Sequence, residues 1–384
     1  MERTLEPPKP ALPLRRRDRF ECYDDAARLA RRRLPRTLYS EIAGGPDRGV
    51  TLRENVAAFD QVMFRPRAAS APQARNLQTT VVGCPISMPL ITAPVGALRI
   101  MHPRGALGVA RASGDAGTIS AVSMSAGHSV EAIAVAATGP LWQHVSMSRG
   151  REHMEHVIEQ AARCDYQALI VTVDTPVIPR RRPLFRMNLK NCLEFAPELI
   201  LRPRWAWRFV RDGIQLAVMN EAVGSVGLQS KLIAEWEDFA WVRENWAGPI
   251  VVKGVVTADD ARRAVDAGAS AVVVSNHGGM GLDGTIPTLR ALPAIASAVG
   301  GTAEVLVDGG IRQGTDVVKA IALGARAVMI GRAYVMGFAV AADAGVRQVL
   351  ENFRYEIDRT LGLLGVASIK EVDRSLIELP SGWS

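Results

Sequence analysis

The chain has 384 residues, of which 48% are hydrophobic and 22% are charged, and its formal net charge is +7. This composition is ordinary for a soluble protein with one large core. Four cysteines are scattered without CxxC spacing, which argues against a metal site and against a disulfide framework. The positive charge lies in short arginine runs without a recognition helix or an aromatic RNA-binding strand, so we expect no nucleic-acid partner.

The first segments of the chain lead into a single expected domain over residues 21–384. Residues 1–20 are rich in proline and arginine and lack periodicity, which predicts a poorly ordered basic arm. No apolar core follows the basic start, so we expect no secretory signal. Residues 23–43 predict helix with a break at Pro35, and residues 70–87 predict short strands and turns across the bottom of a barrel.

From residue 89 onward, apolar strands recur and most are followed by a helical stretch. The expected strands are Pro89–Pro94, Thr118–Ser123, Leu141–Val145, Ala168–Asp174, Pro249–Val255, Ala271–Asn276, Glu304–Gly309 and Ala327–Gly331. Eight β-then-α units predict an α/β fold, a closed TIM (β/α)8 barrel. The most apolar window, residues 320–342, contains Arg326 and Arg332, so it predicts a core strand and helix rather than a membrane span.

One long insertion, at about residues 184–246, separates the fourth and fifth expected strands. It emerges at the carboxyl face of the barrel, where it can act as a lid. Its segment Arg202-Pro-Arg-Trp-Ala-Trp-Arg-Phe-Val210 interleaves aromatic residues with arginines. A lid, a surface helix with buried tryptophans, and a membrane-surface contact through Trp205 and Trp207 all fit this pattern.

Two glycine turns follow the expected seventh and eighth strands and predict a phosphate site. They are Asp308-Gly-Gly-Ile-Arg312 and Ile330-Gly-Arg332. Turns at this place in a barrel bind phosphate through backbone N–H groups, and Arg312 and Arg332 add charge. The alternative is that the glycines only make tight turns between strand and helix.

Three polar residues at other strand ends are candidate catalytic residues. His277 follows the run Val272-Val-Val-Ser-Asn, Lys253 follows Val251-Val, and Asp174 lies in Thr172-Val-Asp-Thr-Pro176. An acid beside a histidine stabilises the imidazolium ion and makes the histidine a better base. A buried lysine is costly without a negative partner, which a reduced flavin would supply. A lone histidine at a strand end is otherwise often structural.

These motifs, in this order, resemble the FMN-dependent 2-hydroxy acid oxidases and dehydrogenases from about residue 33 to residue 364. The resemblance implies FMN as the cofactor, His277 as the base, Asp174 as its partner and Arg181 as a substrate contact. It implies a flavin ring against Pro94, Val95, Gly96, Ser123, Gln143, Thr172, Lys253 and Ser275. It implies a phosphate site made of Asp308, Gly309, Gly310, Ile311, Arg312, Gly331 and Arg332.

Three departures from that family's pattern fall on substrate positions. Met280 stands where hydroxy-acid enzymes carry an arginine that holds the substrate carboxylate, and Glu41 and Val145 stand where tyrosines are usual. A hydrogen bond to a charged group is worth about 1.5–3 kcal/mol, so its loss should weaken a small 2-hydroxy acid about tenfold to a hundredfold or more. We therefore expect a substrate larger and less acidic than lactate, with Met280 and Val145 on the apolar side of its pocket.

The preferred hypothesis is an FMN-dependent oxidoreductase that oxidises an amine or hydroxyl, with His277 as base and hydride transfer to flavin N5. The chain is similar to family members that oxidatively deaminate an amine on a peptide-derived ring during maturation of a redox cofactor. One alternative is a 2-hydroxy acid dehydrogenase in which Arg181 or a lid arginine replaces the missing clamp. Another is a flavin-binding partner protein without catalysis.

The expected partners follow from the same resemblance. The electron acceptor would be oxygen, a quinone or a carrier protein, and the assembly a homo-oligomer, by resemblance a tetramer. We expect a cytoplasmic location with peripheral contact at the inner face of the membrane.

Overall fold

The computed structural model describes residues 14–70, 72–146, 150–176, 197–198, 200–213 and 235–383. Within the expected basic arm, Leu14 and Phe20 are buried. Residues 1–13 of that arm lie outside the described residues.

The N-terminal helices break where the sequence predicts. They are α1 (Tyr23–Arg33), α2 (Arg36–Ala43) and α3 (Val50–Gln61). Pro35 ends the first helix because proline lacks an N–H group and forces the preceding residue, Leu34, into an extended conformation.

A short hairpin closes the bottom of the barrel, as predicted for residues 70–87. After β1 (Met63–Phe64), strands β2 (Thr79–Val81) and β3 (Cys84–Ile86) pair antiparallel. The backbone N–H of Val82 donates to the carboxylate of Glu304, at the start of a barrel strand, over 2.9 Å. The hairpin therefore lies at the amino ends of the barrel strands, opposite the expected site.

Eight parallel strands form a closed barrel, which confirms the predicted fold. They are β4 (Leu90–Thr92), β5 (Ser120–Ser123), β6 (Leu141–Val145), β7 (Ala168–Thr172), β8 (Ile250–Val255), β9 (Ala271–Val274), β10 (Glu304–Asp308) and β11 (Ala327–Ile330). The last strand pairs with the first, so no strand edge is left open. The long insertion lies between β7 and β8, as predicted.

Helices surround the barrel and follow most of its strands. They are α4 (Leu98–Met101), α5 (Gly105–Asp115), α6 (Val130–Ala136), α7 (Arg151–Arg163), α8 (Pro203–Arg211), α9 (Asp238–Asn245), α10 (Ala258–Asp266), α11 (Thr288–Val299), α12 (Gly314–Ala322) and α13 (Arg332–Leu364). A final strand, β12 (Ile377–Glu378), pairs with β1. Among these described helices, none combines the length and apolarity that crossing a membrane requires.

The strands separate two apolar cores. The inner core, inside the barrel, contains Ala121, Trp142, Ile170, Val251, Val273, Leu306 and Met329. The outer core, between the barrel and its helices, contains Val122, Val145, Leu169, Val171, Val252, Val307 and Val328. Successive residues of a strand point to opposite faces, and residues paired across strands share a face, so the direction of each strand side chain is determined.

A buried amide pair joins α3 to the loop after β9. The side chain of Asn55 donates to Asn276 over 2.8 Å, and that of Asn276 donates back over 2.9 Å. Asn276 also accepts from the backbone of Gly279, and Asn55 accepts from that of Thr288. The pair therefore holds the residues on both sides of His277.

Asn55→Ala should lower the free energy of unfolding by about 1–3 kcal/mol, because it leaves the buried amide of Asn276 unpaired. Urea unfolding of both single variants and of the double variant measures this. If the two amides act as a unit, the double variant loses less than the sum of the single losses, whereas simple additivity would contradict the coupling.

Candidate active site

Two strand-end loops bring His277 and Asp174 together as predicted. Nδ1 of His277 lies 3.0 Å from a carboxylate oxygen of Asp174. The Asp174 side chain comes this close because Gly254 faces it, and a Cβ on Gly254 would lie 2.6 Å from that of Asp174. Burial raises the pKa of Asp174, but His277 and Lys253 outweigh it and hold the pKa below its usual value. Asp174 is therefore ionised and orients the imidazole ring.

The backbone at His277 is left-handed, with φ at 57°. This conformation costs a non-glycine residue on the order of 1–3 kcal/mol and persists only where surrounding contacts enforce it. The N–H of His277 donates to the Ser275 hydroxyl over 3.1 Å, and Arg332 donates to the carbonyl of Gly278. The His277 side chain remains 36% exposed, so a ligand can reach it.

Lys253 is buried at the end of β8 with a protein partner. Its ammonium lies 3.1 Å from the Asp308 carboxylate and donates to the Ser275 hydroxyl over 3.0 Å. The Lys253 and Asp308 side chains are 6% and 9% exposed. Burial lowers the pKa of Lys253, but Asp308 and Asp174 raise it by more, so the group stays charged. A flavin was expected to be the negative partner of Lys253, and the Asp308 carboxylate is a further negative partner within the protein.

A cavity of about 460 Å³ opens at this carboxyl face, within the usual range for small-molecule sites. Most of the sequence-predicted site residues line it: Glu41, Pro94, Val95, Gly96, Ser123, Lys253, His277, Met280, Asp308, Gly309, Gly310, Ile311, Arg312, Gly331 and Arg332. Asp174 and Ser275 lie directly behind this lining through their contacts with His277 and Lys253. Arg181 lies outside the described residues.

Two residues of β6 that were predicted at the site, Gln143 and Val145, are buried and are not among the described residues that line the cavity. Gln143 pairs across its ladders with Val122 and Leu169, which both belong to the outer core, and its amide donates to the carbonyl of Val122. Val145 is also buried in the outer core. The amide oxygen of Gln143 is buried without a hydrogen-bond partner among the described residues, so its contact with the flavin stays a prediction.

Several buried polar atoms at the top of the barrel have no hydrogen-bond partner within the described parts of the chain. They are Oε1 of Gln143, Nδ1 of His144, Oγ1 of Thr172, Oδ2 of Asp174 and Oδ1 of Asp308. Buried polar atoms are nearly always satisfied, so this layer suits a ligand with several donors and acceptors. A flavin ring is such a ligand, and Gln143 and Thr172 were predicted around it.

The glycine turns flank the cavity. Their geometry agrees in part with both interpretations, a phosphate site and tight turns between strand and helix. A Cβ on Gly331 would meet only Val95, at 3.9 Å, so its backbone is open to a ligand. A Cβ on Gly310 would overlap the carbonyl oxygen of Asn55, so this glycine also permits close packing. Because the chain offers open backbone and two arginines here, the residues fit a phosphate.

Both arginines of the predicted phosphate site already have partners. Arg312 lies 4.4 Å from the ring centre of Tyr23. Arg332 donates to the backbone carbonyls of Ile42 and Gly44, each over 2.7 Å, and to that of Gly278. Arg332 therefore also joins the end of α2 to the loop that carries His277, a contact that its place in a glycine turn did not predict.

Comparison with known proteins decides the family, since the model of FMN-dependent dehydrogenases matches residues 30–379. The chain belongs to this family. It is 42% identical to a pre-mycofactocin synthase of Mycobacterium tuberculosis, over 95% of this chain and 96% of that protein. It is 38% identical to a glycolate oxidase of Spinacia oleracea, over 91% and 93%.

A solved structure gives the same result. The chain matches (S)-mandelate dehydrogenase, a monotopic membrane protein, with a TM-score of 0.86 and 32% identity, covering 94% of this chain and all of that one. The protein is thus an FMN-dependent oxidoreductase of the hydroxy acid oxidase family, and the predicted cofactor is confirmed. The sequence did not predict that Asn55 supports the site, because a single asparagine in an amphipathic helix does not indicate its distant partner.

Lys253→Met should lower the free energy of unfolding by about 3–5 kcal/mol, because it leaves the Asp308 carboxylate buried without a cation. Urea unfolding with FMN-free protein measures this loss. The double variant Lys253→Met with Asp308→Asn removes both charges and should recover much of it. A double variant no more stable than Lys253→Met would contradict a dominant ion pair.

Proposed function

We propose that this enzyme oxidises an amine on a substrate larger than lactate. The observation that carries the proposal is the pair Glu41 and Met280, which both line the cavity that contains His277. A carboxylate there attracts a substrate ammonium group and repels a substrate carboxylate, while Met280 adds apolar surface. Arg312 and Arg332 also line the cavity, on the side where the FMN phosphate is expected.

The geometry supports a defined role for each catalytic residue. Asp174 contacts Nδ1 of His277, which leaves Nε2 to accept the proton that the substrate amine loses. When bound, FMN supplies a two-electron acceptor that takes the hydride equivalent at N5. Lys253 holds a fixed positive charge at the cavity wall, where it stabilises negative charge that develops during the reaction.

The relatives support two candidate substrate classes. One relative is a pre-mycofactocin synthase, and we propose for this chain an oxidative deamination on a peptide-derived ring. Others are a glycolate oxidase and an (S)-mandelate dehydrogenase, which favour a 2-hydroxy acid as the second candidate. Glu41 and Met280 favour the amine, because they replace the groups that would bind a carboxylate.

Anaerobic mixing of the FMN-loaded enzyme with matched amines and 2-hydroxy acids tests the proposal. We expect amines to bleach the visible flavin absorption, and Glu41→Gln to weaken their binding about tenfold, as one charged contact is worth about 1.5–3 kcal/mol. Efficient oxidation of L-lactate with poor amine oxidation would overturn the proposal.

His277→Asn is the matched control for the chemistry. It should keep FMN bound and slow flavin reduction by about a hundredfold or more, the usual contribution of a general base.

We also propose that α8 contacts a membrane surface. Trp205 anchors α8 to the rest of the domain, since its side chain is buried and its indole N–H donates to the carbonyl of Ile100 over 3.0 Å. Trp207 points away and is 60% exposed, with Arg211 over its ring at 5.0 Å. An exposed tryptophan among arginines on one helix suits an anionic membrane surface. The similarity to a monotopic membrane protein supports the same idea.

Sedimentation with anionic and neutral lipid vesicles measures this contact. Trp207→Ala should weaken binding to anionic vesicles about tenfold, because burial of an aromatic side chain contributes about 1.5–3 kcal/mol. Tyr355→Ala is the control, since Tyr355 is 65% exposed on a different helix. Equal binding of Trp207→Ala and the unaltered protein would contradict the contact.

A further inference from the structure

The guanidinium group of Arg312 lies over an aromatic ring of the N-terminal helix. Its central carbon is 4.4 Å from the ring centre of Tyr23, the first residue of α1. One of its nitrogens donates to the carbonyl of Ile311 over 3.0 Å. An aromatic ring and an amide carbonyl are uncharged partners, so they hold the guanidinium without neutralising it. Arg312 also lines the cavity together with Gly309 and Gly310 of the predicted phosphate site.

The two partners of this stack are held in place separately. Asn352 of α13 donates from its side chain to the carbonyls of Phe20 and Glu21, over 3.4 and 3.0 Å, and so anchors the start of α1. The backbone N–H of Arg312 donates to the Asp316 carboxylate over 2.8 Å. The ring and the guanidinium therefore approach each other from two segments that have their own support.

Such a stack prepares an arginine for an anion. A guanidinium has five N–H donors, and contact with a ring uses no oxygen acceptor, so donors other than the one on Ile311 can bind a phosphate. A flexible side chain that is already held in its bound conformation loses less entropy when the ligand arrives. The ring can thus raise the affinity for an anion that it does not touch.

We propose that Tyr23 is a positioning residue for the FMN phosphate, because it holds Arg312 in the conformation that binds this group. The N-terminal helix, which lies outside the barrel, then contributes to cofactor affinity. This inference rests on the predicted contact between Arg312 and the phosphate, and not on the proposed amine substrate. If the stack instead only attached α1 to the barrel, its loss would lower stability without any preference for ligands that carry a phosphate.

Titration of the full-length, flavin-free protein with FMN and with riboflavin, which lacks the phosphate, separates these alternatives. Tyr23→Leu should raise the Kd of FMN about two- to tenfold, the size of a cation–π contact, and leave that of riboflavin unchanged. Tyr23→Phe keeps the ring and should bind FMN like the unaltered protein. Flavin fluorescence measures the Kd, and thermal unfolding checks that each variant folds. Tyr23→Met replaces the leucine variant if that variant does not fold.

Tyr355→Leu is the matched control. Arg359 lies over the ring of Tyr355 at 5.8 Å, and Tyr355 is 65% exposed and not among the residues that line the cavity. Loss of this second stack should change neither Kd.

A double-mutant cycle shows whether Tyr23 acts through Arg312. Arg312→Met should raise the Kd of FMN about tenfold or more, because it removes a charged hydrogen bond. Tyr23→Leu combined with Arg312→Met should then bind FMN no more weakly than Arg312→Met alone. Unchanged FMN affinity in the folded Tyr23 variants, equal losses for FMN and riboflavin, or additive losses in the cycle would each overturn the inference.

The outcomes also distinguish this inference from the statements on which it depends. Unchanged FMN affinity in Arg312→Met would overturn the predicted phosphate contact, and the inference with it. Failure to oxidise amines would overturn the proposed function only, because both affinities are measured without substrate.

Discussion

Each residue of a barrel strand points either into the barrel or toward the surrounding helices, and pairing with two neighbours fixes that choice. In this protein the inward positions are apolar from the bottom upward, as Ala121, Trp142, Ile170 and Val251 illustrate. They change to polar residues only in the last layer before the cavity. The candidate catalytic and cofactor-binding residues therefore lie at one end of a closed, densely packed barrel. A shift of one residue along a strand turns a side chain from the inside of the barrel to the outside.

Opposite charges within that last layer explain how its ionised side chains can be buried together. Lys253 pairs with Asp308, and the charge of Asp174 also favours its ammonium form, so two carboxylates offset the cost of burying this ion. Asp174 also contacts His277, which suits the proposed role of that ring as the base. Burial, Lys253 and His277 lower the pKa of His144 to about 3, so this ring stays neutral at physiological pH.

The loop that carries His277 is held from several sides, which its backbone conformation requires. The Asn55–Asn276 amide pair, the Ser275 hydroxyl and the Arg332 guanidinium come from different parts of the chain and meet at this loop. Arg332 therefore connects the His277 loop with the expected phosphate site, because it also lines the cavity there. Rigid support of this kind keeps the base within reach of a substrate.

The sequence alone predicted the eight strand–helix units and the candidates His277, Asp174 and Lys253, since local apolar runs and strand-end motifs carry that information, and the resemblance of those motifs to a family predicted FMN. Tertiary structure alone decided which strand residues line the cavity, because a strand buried on both faces shows no alternation. It also decided the partner of Lys253 and the contacts of Arg332. These contacts join residues that are far apart in the chain. The periodicity of a sequence indicates which residues are buried, but it does not indicate which distant residue each of them contacts.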